Sequence, residues 1–597
     1  MRYLISNFQF RHRHSIRRYT LFRKKCKPVN EECRYFYHLN IYSFGKFFSK
    51  GGFKLIYYWQ RSLRIFETIL EFGKQSVYKL SEKTGIPKSS VHRHLLALLK
   101  RNQHPESEFW ETEAGGKFLC RLVFAVLYEF CIKSGVGAER ASGFFKRIRL
   151  DTHVGVSPTA LRGQLKKIEE LLIEYQRAQE QQQSQTNEPR ELIAAGDETF
   201  FEDKLLMVLM DLSSGYLLLE EEADDRSYET WKQKAQARLH AIGATIRHFV
   251  SDRAKALIKL GVDGFGCEEV GSDLFHGQYE ISRWLGVQLH RKLAQAIKKI
   301  KDTREHLINL RQGNKQENVI RDKEVTLKQQ EKCLQDIQTG HDYYHAALQK
   351  ISLSVHPFNI NNGEPQTSKD VVSRLQSCTE KFKEIAVLLS ISDKRGALEK
   401  FSRQIDDIAS IVGVWWVWVR ENITQYELDK ARQEWLIYLL LPVIYWHQQM
   451  ERTKHPALKA SYKKAWQQAL AVWHAHRLSQ TLHSDEIEFW QAWAAWMVSK
   501  FQRSSSMVEG RNGWLSQMYR NGRSLTVRRL RGLTAIHNFD LRRADGTTSA
   551  ERLFDVKFPD LFEWTLERVG SLPMPRKARN RSIPNPLISL NCPALSG

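Results

Sequence analysis

The chain has 597 residues, with 91 Lys and Arg against 67 Asp and Glu, so its formal net charge is +24. Apolar residues make up 42% and charged residues 26%, which is typical of a globular protein and excludes a disordered or collagen-like chain. The eight cysteines are scattered without a Cys-x-x-Cys pair, so we expect a reducing compartment and no structural zinc. No apolar run approaches the roughly 20 residues that cross a bilayer, so we predict no membrane span.

The positive charge is concentrated at the two ends of the chain. Residues 1–58 carry 13 basic and two acidic side chains, residues 59–190 carry 21 and 15, and residues 501–597 carry 16 and eight, which leaves residues 191–500 close to neutral. Lys and Arg that neutralise phosphates release counterions, so this distribution favours nucleic acid as the partner over a merely soluble basic protein. We interpret residues 1–58 as a basic N-terminal extension, either a DNA-gripping arm or a segment upstream of the true reading frame.

Residues 59–178 are predicted to form a helical DNA-binding region with a helix-turn-helix at about 66–101. Gly85 supplies the tight turn, Ile86 enters the core, and a second helix begins near Pro87 or the residue after it. An ordinary helical pair with a solvated basic face is the alternative. In the helix-turn-helix the second helix enters a major groove. The side chains on it that we predict to reach bases or phosphates are Lys88, Ser89, Ser90, Arg93 and His94.

A polar, Gln-rich segment at 179–190 is predicted to be a linker, and the hydrophobic period changes after it. The apolar runs that follow predict a mixed α/β sheet covered on both faces, because several of its strands are continuously apolar. The acidic run at 220–222 is predicted to be a solvated loop. The predicted strands are Leu192–Asp197, Leu205–Asp211, Tyr216–Leu219, Ile246–Asp252 and Cys267–Val270.

Residues 281–500 are predicted to be an all-α insertion. Its first part, 281–353, is highly charged and interrupted near Gly313, which indicates a helical hairpin arm. Its last part, 401–500, holds ten of the sixteen tryptophans. A helical face made by Trp490, Trp493 and Trp496 is more typical of a core than of a surface that stacks on an unpaired base.

Three carboxylates stand out by their position relative to these elements. Asp197 lies at the first strand, Asp252 ends the fourth, and Glu509 precedes a late helix. This order resembles the RNase H-like core of DDE transposases and retroviral integrases. The segments Asp273–His276 and Glu509–Leu530 are similar to stretches of bacterial insertion-sequence transposases, and the resemblance covers about 191–280 and 501–560.

The resemblance implies an α/β RNase H-like catalytic core with a mixed sheet, split by the helical insertion. It also implies a DDE-type transposase in which two Mg²⁺ or Mn²⁺ ions, held by hard oxygen ligands, support in-line phosphodiester displacement. Asp197 would bridge both ions, and Asp252 and Glu509 would each hold one. The 257 residues between Asp252 and Glu509 exceed the spacing in compact integrases, so Glu488 or Glu551 is an alternative third ligand.

The resemblance also implies DNA contacts from Arg511, Arg528 and Arg529 along one side of the cleft, followed by a basic tail at 561–597. The expected partners are double-stranded DNA, as element ends and target, and further copies of the chain in a homo-oligomer. The expected location is the bacterial cytoplasm, at the nucleoid. Two other interpretations remain open: a non-catalytic helix-turn-helix regulator, and an RNase H-like nuclease without strand transfer.

Overall fold

The computed structural model describes residues 53–184, 189–202, 204–313, 315–520 and 525–575. The N-terminal extension up to residue 52, part of the predicted linker and the tail beyond residue 575 therefore lie outside the described residues. The chain divides into two compact units. In the described ranges, the first unit comprises 53–121, 151–155 and 571–575, and the second comprises 122–150 and 156–570. No helix within these ranges is long and apolar enough to cross a membrane.

The first unit contains three helices around a small apolar core: α1 (Phe53–Phe72), α2 (Val77–Thr84) and α3 (Lys88–Arg101). Gly85 ends α2 in the left-handed conformation, with a φ of 66°, which a residue without a β-carbon adopts at little cost. Ile86 is 4% exposed and joins the core. The predicted turn and the start of the second helix are confirmed. The core side chains are Ile65, Phe66, Leu80, Ile86, Val91 and Leu98.

The second unit combines one mixed sheet with many helices. Short π-helical turns at 126–133, 260–264, 282–286 and 435–440 continue directly from the helices that precede them. The helices that follow α3 in the chain, the first of which begins in the first unit, are α4 (Glu113–Ala125), α5 (Ala138–Arg147), α6 (Pro158–Gln183), α7 (Tyr228–Ile242), α8 (Lys255–Lys259), α9 (Leu274–Ile281), α10 (Val287–Gln312), α11 (Glu317–Ser354), α12 (Ser368–Leu388), α13 (Ala397–Thr424), α14 (Lys430–Glu434), α15 (Leu441–Arg452), α16 (Pro456–Ala475), α17 (Arg477–Thr481), α18 (Ser484–Ser499), α19 (Ser506–Arg520), α20 (Val527–Phe539), α21 (Ser549–Phe554) and α22 (Leu561–Val569).

The sheet has five strands in the order β3-β2-β1-β4-β5. The β1–β2 and β2–β3 pairs are antiparallel, and the β1–β4 and β4–β5 pairs are parallel. The predicted mixed sheet is therefore present. The strands are β1 (Arg190–Phe201), β2 (Lys204–Asp211), β3 (Leu217–Ala223), β4 (Ala244–Ser251) and β5 (Val270–Ser272).

Two strand predictions need correction. The run 220–222 is part of β3 rather than a solvated loop, because Glu220 is buried against a counter-charge, Arg511. The first strand extends beyond its predicted end, so Asp197 lies inside β1 rather than at its terminus. Composition indicated a loop at 220–222 because the sequence does not display the distant partner that neutralises the buried carboxylate.

Two segment boundaries also differ from the prediction. Helix α6 continues to Gln183, so the first half of the predicted 179–190 linker is helical. Glu180 is buried there, and Arg238 donates to its two carboxylate oxygens at 2.7 and 3.0 Å. The predicted basic tail begins with α22, whose Trp564 packs edge-to-face on Tyr175 of α6 at a centroid distance of 5.2 Å. Buried charge and aromatic packing thus order segments that looked polar or basic.

The helical insertion has its own large apolar core. Helices α10 and α11 lie antiparallel, since Arg304 pairs with Glu331 at 2.7 Å and Arg311 with Glu324 at 2.6 Å. The two long helices of the predicted arm are thus present. Among the tryptophans, Trp490 and Trp493 are buried as predicted, whereas Trp496 is 45% exposed.

Candidate functional site

The parallel pairing of β1 and β4 brings two of the predicted carboxylates side by side. Ala194 pairs with Phe249 and Ala195 with Val250. Two further residues along this register bring Asp197 level with Asp252, which directly follows the last residue of β4. Asp252 is exposed, and its Oδ1 accepts a hydrogen bond from the Ala254 amide at 3.0 Å.

Helix α19 supplies the third carboxylate. Val508 is fully buried in a core with residues of β1, β2 and β4, which fixes the first turn of α19 on the sheet. In that turn the Glu509 carboxyl group lies close enough to Asp197 for its charge to raise the pKa of Asp197. One turn later Asn512 donates from Nδ2 to Asp197 Oδ2 at 2.6 Å. Residues three apart share a helix face, so Glu509 and Asn512 both reach the same carboxyl group.

A histidine completes this cluster. His276 Nε2 lies 2.9 Å from Glu509 Oε1, and this contact, with further help from Asp273, raises the pKa of His276 to about 9. The same hydrogen bond lowers the pKa of Glu509. Burial, and then the charge of Glu509, raises the pKa of Asp197 to about 7. At neutral pH the cluster therefore contains a protonated imidazole, an ionised glutamate and an aspartate near its midpoint of titration.

Asp273 holds the histidine segment and α19 together. It is completely buried, caps α9 by accepting from the Phe275 amide at 2.8 Å, and accepts a hydrogen bond from the Ser505 hydroxyl. Its Oδ2 lies 4.0 Å from His276 Nε2. The chain that follows β5 is thus tied to the residue just before α19, which fixes where Glu509 stands.

The sequence resemblance includes the segment Asp273–His276 but assigns no role to His276 or to Asn512. A usable signal was present for each. Asp and His stand three residues apart at the start of a helix, and Asn512 lies three residues after Glu509. Of the alternative third ligands, Glu551 forms a capping box with Thr548, and Glu488 is exposed on α18. Among the three glutamates considered, Glu509 is the one that contacts Asp197.

The residues of this cluster can be tested for their ability to bind the predicted divalent ions. In the described residues, no group of three or more His, Cys, Asp or Glu side chains is already arranged to hold a metal ion. Next to Asp197, Asn512 Oδ1 is buried without a hydrogen-bond partner. Carboxylate and amide oxygens are ligands suited to Mg²⁺. The negative charges that raise the pKa of Asp197 would also be neutralised by a cation, so the residue types fit the predicted ion.

The recognition helix α3 presents only part of the predicted DNA-contacting set. Lys88, Ser89 and Arg93 are exposed, but Ser90 and His94 are 7% and 4% exposed and face the core, which corrects their prediction. His94 Nδ1 lies 2.7 Å from the Ser62 hydroxyl. Burial, followed by nearby arginines, lowers the pKa of His94. Four-residue spacing puts positions 90 and 94 on one helix face, and that face is the inner one.

The arginines that follow Glu509 are largely engaged within the protein. Arg511 is buried and donates to both carboxylate oxygens of Glu220 at 2.6 and 2.7 Å, so the predicted DNA contact from Arg511 is wrong. Arg528 and Arg529 each bind Glu169 at 2.9 Å. Arg528 keeps 38% of its side chain exposed, whereas Arg529 keeps 13%. Arg528 is therefore the better placed of the three to reach DNA.

Comparison with known protein families identifies the helix-turn-helix region. Residues 60–102 match the IclR helix-turn-helix domain, so the chain carries a helix-turn-helix DNA-binding domain made by α1, α2 and α3. Residues 436–581 match a family of unknown function (DUF6399). That match covers the last part of the helical insertion, from residue 436, and the helices α19 to α22, and therefore includes Glu509. No curated protein sequence matches the chain significantly.

Proposed function

We propose that this DNA-binding protein is a DDE-type transposase with an RNase H-like core. The observation that carries the proposal is the meeting of three carboxylates from distant parts of the chain. Asp197 on β1 and Asp252 directly after β4 stand level on adjacent parallel strands, in a sheet of the order β3-β2-β1-β4-β5. Glu509 lies close to Asp197 on a helix 257 residues after Asp252. A non-catalytic regulator has no use for this arrangement.

The chemistry proposed for the site is DNA strand cleavage and strand transfer. Mg²⁺ or Mn²⁺ held by Asp197, Asp252 and Glu509 would activate the attacking water or 3′-hydroxyl and stabilise the leaving oxygen. Asn512 fixes the Asp197 carboxyl through Oδ2, and the His276 imidazolium fixes Glu509 through Oε1. With a pKa of about 9, His276 also places a positive charge where a DNA phosphate would approach.

The helix-turn-helix would select the terminal repeats of the element, with Lys88, Ser89 and Arg93 on the exposed face of α3. Transposition brings two DNA ends together, so we propose a homo-oligomer on DNA. The arm formed by α10 and α11 is our candidate for the contact between copies.

The test is a cleavage and strand-transfer assay on DNA taken from either side of the coding sequence, with Mg²⁺ or Mn²⁺. We would compare wild type with Asp197→Asn, Asp252→Asn and Glu509→Gln. The matched control is Asp224→Asn, which changes an exposed carboxyl after β3. We expect nicking at the element ends to fall at least 100-fold in the three site variants while DNA binding is retained, and to stay at the wild-type level in the control.

Each other outcome selects a different interpretation. Cleavage without joining favours a nuclease. DNA binding by folded wild type without any cleavage favours the helix-turn-helix regulator. Normal cleavage by Glu509→Gln alone would place the third ligand elsewhere, even though Glu509 contacts Asp197 in the structure.

A further inference from the structure

Three histidines cluster on the helical arm, in a part of the molecule that the proposed catalytic chemistry does not use. His290 lies on α10, and His341 and His345 lie one turn apart on α11. Ring centroids are 5.1 Å apart for His290 and His341, and 4.4 Å apart for His341 and His345. His290 and His345 are exposed and His341 is half-buried, so solvent reaches the cluster.

The spacing of two ring nitrogens suits a shared metal ion. Nε2 of His341 and Nε2 of His345 are 3.2 Å apart. Two nitrogens that each lie about 2.0–2.1 Å from a tetrahedral zinc ion are separated by about 3.3 Å. In the absence of an ion the two nitrogens share one proton, because one ring must donate to the other. An ion in place of that proton requires little movement of either ring.

His290 has at Nδ1 the kind of partner that metal-binding histidines usually have. His290 Nδ1 lies 3.1 Å from the carbonyl oxygen of Gly286, so Nδ1–H donates and Nε2 keeps its lone pair. His341 Nδ1 lies 4.0 Å from Asp342 Oδ1, which is too long for a hydrogen bond but allows a charge interaction. A hydrogen bond at the second nitrogen fixes the tautomer of a histidine ligand.

The two helices approach closely at this level. A β-carbon at Gly286 would collide with the Tyr344 hydroxyl, so the absence of a side chain there allows α10 to pack against α11. Tyr344 directly precedes His345, and Gly286 lies one turn before His290. The close approach therefore brings a histidine of one helix next to the histidine pair of the other.

We propose that His290, His341 and His345 form a zinc-type transition-metal site that joins the two helices of the arm. His341 and His345 supply two ligands with small movements of their rings, and His290 supplies the third by a side-chain rotation at an exposed position that exchanges its contact with the Gly286 carbonyl oxygen for the ion. Imidazole nitrogens select zinc over Mg²⁺, which prefers oxygen ligands. The fourth position is open to water or to a ligand from another molecule.

This site does not depend on the proposed transposase activity. Elsewhere the arm has buried apolar side chains, Ile300 and Leu307 on α10 and Ile337 on α11, and the exposed Arg304–Glu331 and Arg311–Glu324 ion pairs. Exposed pairs contribute little, typically below about 1 kcal/mol each. A bound ion would add a direct link between α10 and α11 near the base of the arm.

The experiment is isothermal titration of the full chain with Zn²⁺, in a large excess of Mg²⁺ so that carboxylate sites are occupied. The variants are His290→Ala, His341→Ala and His345→Ala, and the matched control is His306→Ala, which removes an exposed histidine from α10 away from the cluster. We expect one tight Zn²⁺ per wild-type chain, at least tenfold weaker binding in each cluster variant, and no change in the control.

Circular dichroism and DNA binding at the wild-type level would verify that each variant is folded. Equal Zn²⁺ affinity in wild type and in His341→Ala or His345→Ala would overturn the site. Unchanged affinity in His290→Ala would overturn the connection between the helices. A loss in His306→Ala as large as in the cluster variants would show that Zn²⁺ binds histidines unselectively.

Discussion

Replacement of Asp197 by Asn should make the metal-free protein more stable, and increasingly so as the pH rises. The pKa of Asp197 is about 7 in the folded protein, against an ordinary value of 3.8, because of burial and the Glu509 charge. The folded state therefore binds this proton more tightly than the unfolded state. The free energy of unfolding of wild type falls as the pH rises from about 4 to about 7, and an amide at position 197 does not suffer that loss.

The pKa difference sets the size of the effect. One pKa unit corresponds to about 1.4 kcal/mol, so the raised pKa of Asp197 costs wild type about 2 kcal/mol at pH 5 and up to about 4 kcal/mol at pH 8. The neighbours can accept the new amide. Asn512 Oδ1 is buried without a hydrogen-bond partner, and a flip of the Asn512 amide would present that oxygen to the new NH₂ group.

The assay is urea unfolding of wild type and Asp197→Asn at pH 5 and pH 8 with a chelator present. Tryptophan fluorescence is suitable because most of the sixteen tryptophans lie in the second unit, which contains the site. Asp224→Asn is the exposed control and should change stability little. Addition of Mg²⁺ at 100 times its dissociation constant should stabilise wild type by about 2.7 kcal/mol and leave Asp197→Asn unchanged.

A difference in the free energy of unfolding between wild type and Asp197→Asn that did not grow between pH 5 and pH 8 would contradict the raised pKa of Asp197. His276 also titrates, since its pKa is about 9, but its contribution is complete below pH 6.5 and is lost as the pH rises through about 9. His276 is present in both proteins, and the Asp197 charge helps to raise the pKa of His276, so the difference between the proteins reports Asp197 together with this coupling.

Three further predictions follow from other contacts. Arg511→Met should lower the free energy of unfolding by about 3–5 kcal/mol, measured by urea unfolding, because Glu220 is left buried without its counter-charge. The double variant with Glu220→Leu and Arg511→Met should recover most of that loss, because no buried charge remains in the pair. Lys88→Ala and Arg93→Ala should each weaken DNA binding and reduce the salt slope of log K by about 0.9, measured by fluorescence anisotropy. The cleavage rate of wild type should decline as the pH rises through about 9, and His276→Asn should not show that decline. The same pH profile in wild type and His276→Asn would contradict the role given to His276.

Local patterns predicted the elements of this fold well. The continuous apolar run that became β2 and the Gly-Ile-Pro turn of the helix-turn-helix are short-range signals, and both elements form where expected. Asp197 and Asp252 lie next to each other because β1 and β4 are parallel neighbours in the sheet. The order of the strands along the chain does not determine which strands pair, so this neighbourhood was predictable only through the family resemblance.

What could not be predicted depended on partners far away in the sequence. The local pattern predicts a solvated Glu220, because its partner Arg511 stands 291 residues later in the chain. It places Glu180 in a linker, because its partner Arg238 is 58 residues away. The inward orientation of His94 depends on how α3 rotates against α1, where Ser62 meets it. Charge and burial at these positions are properties of the packed chain rather than of any local pattern.

The long separation between Asp197 and Glu509 has a consequence for synthesis. The two residues are 312 positions apart, and ribosomes add about 5–20 residues per second, so Glu509 emerges roughly 15–60 s after Asp197. A nascent chain that ends at Ser505 already contains all five strands and the helical insertion, but not the glutamate that contacts Asp197. Translation therefore supplies the glutamate of this cluster long after the helix-turn-helix has been synthesised.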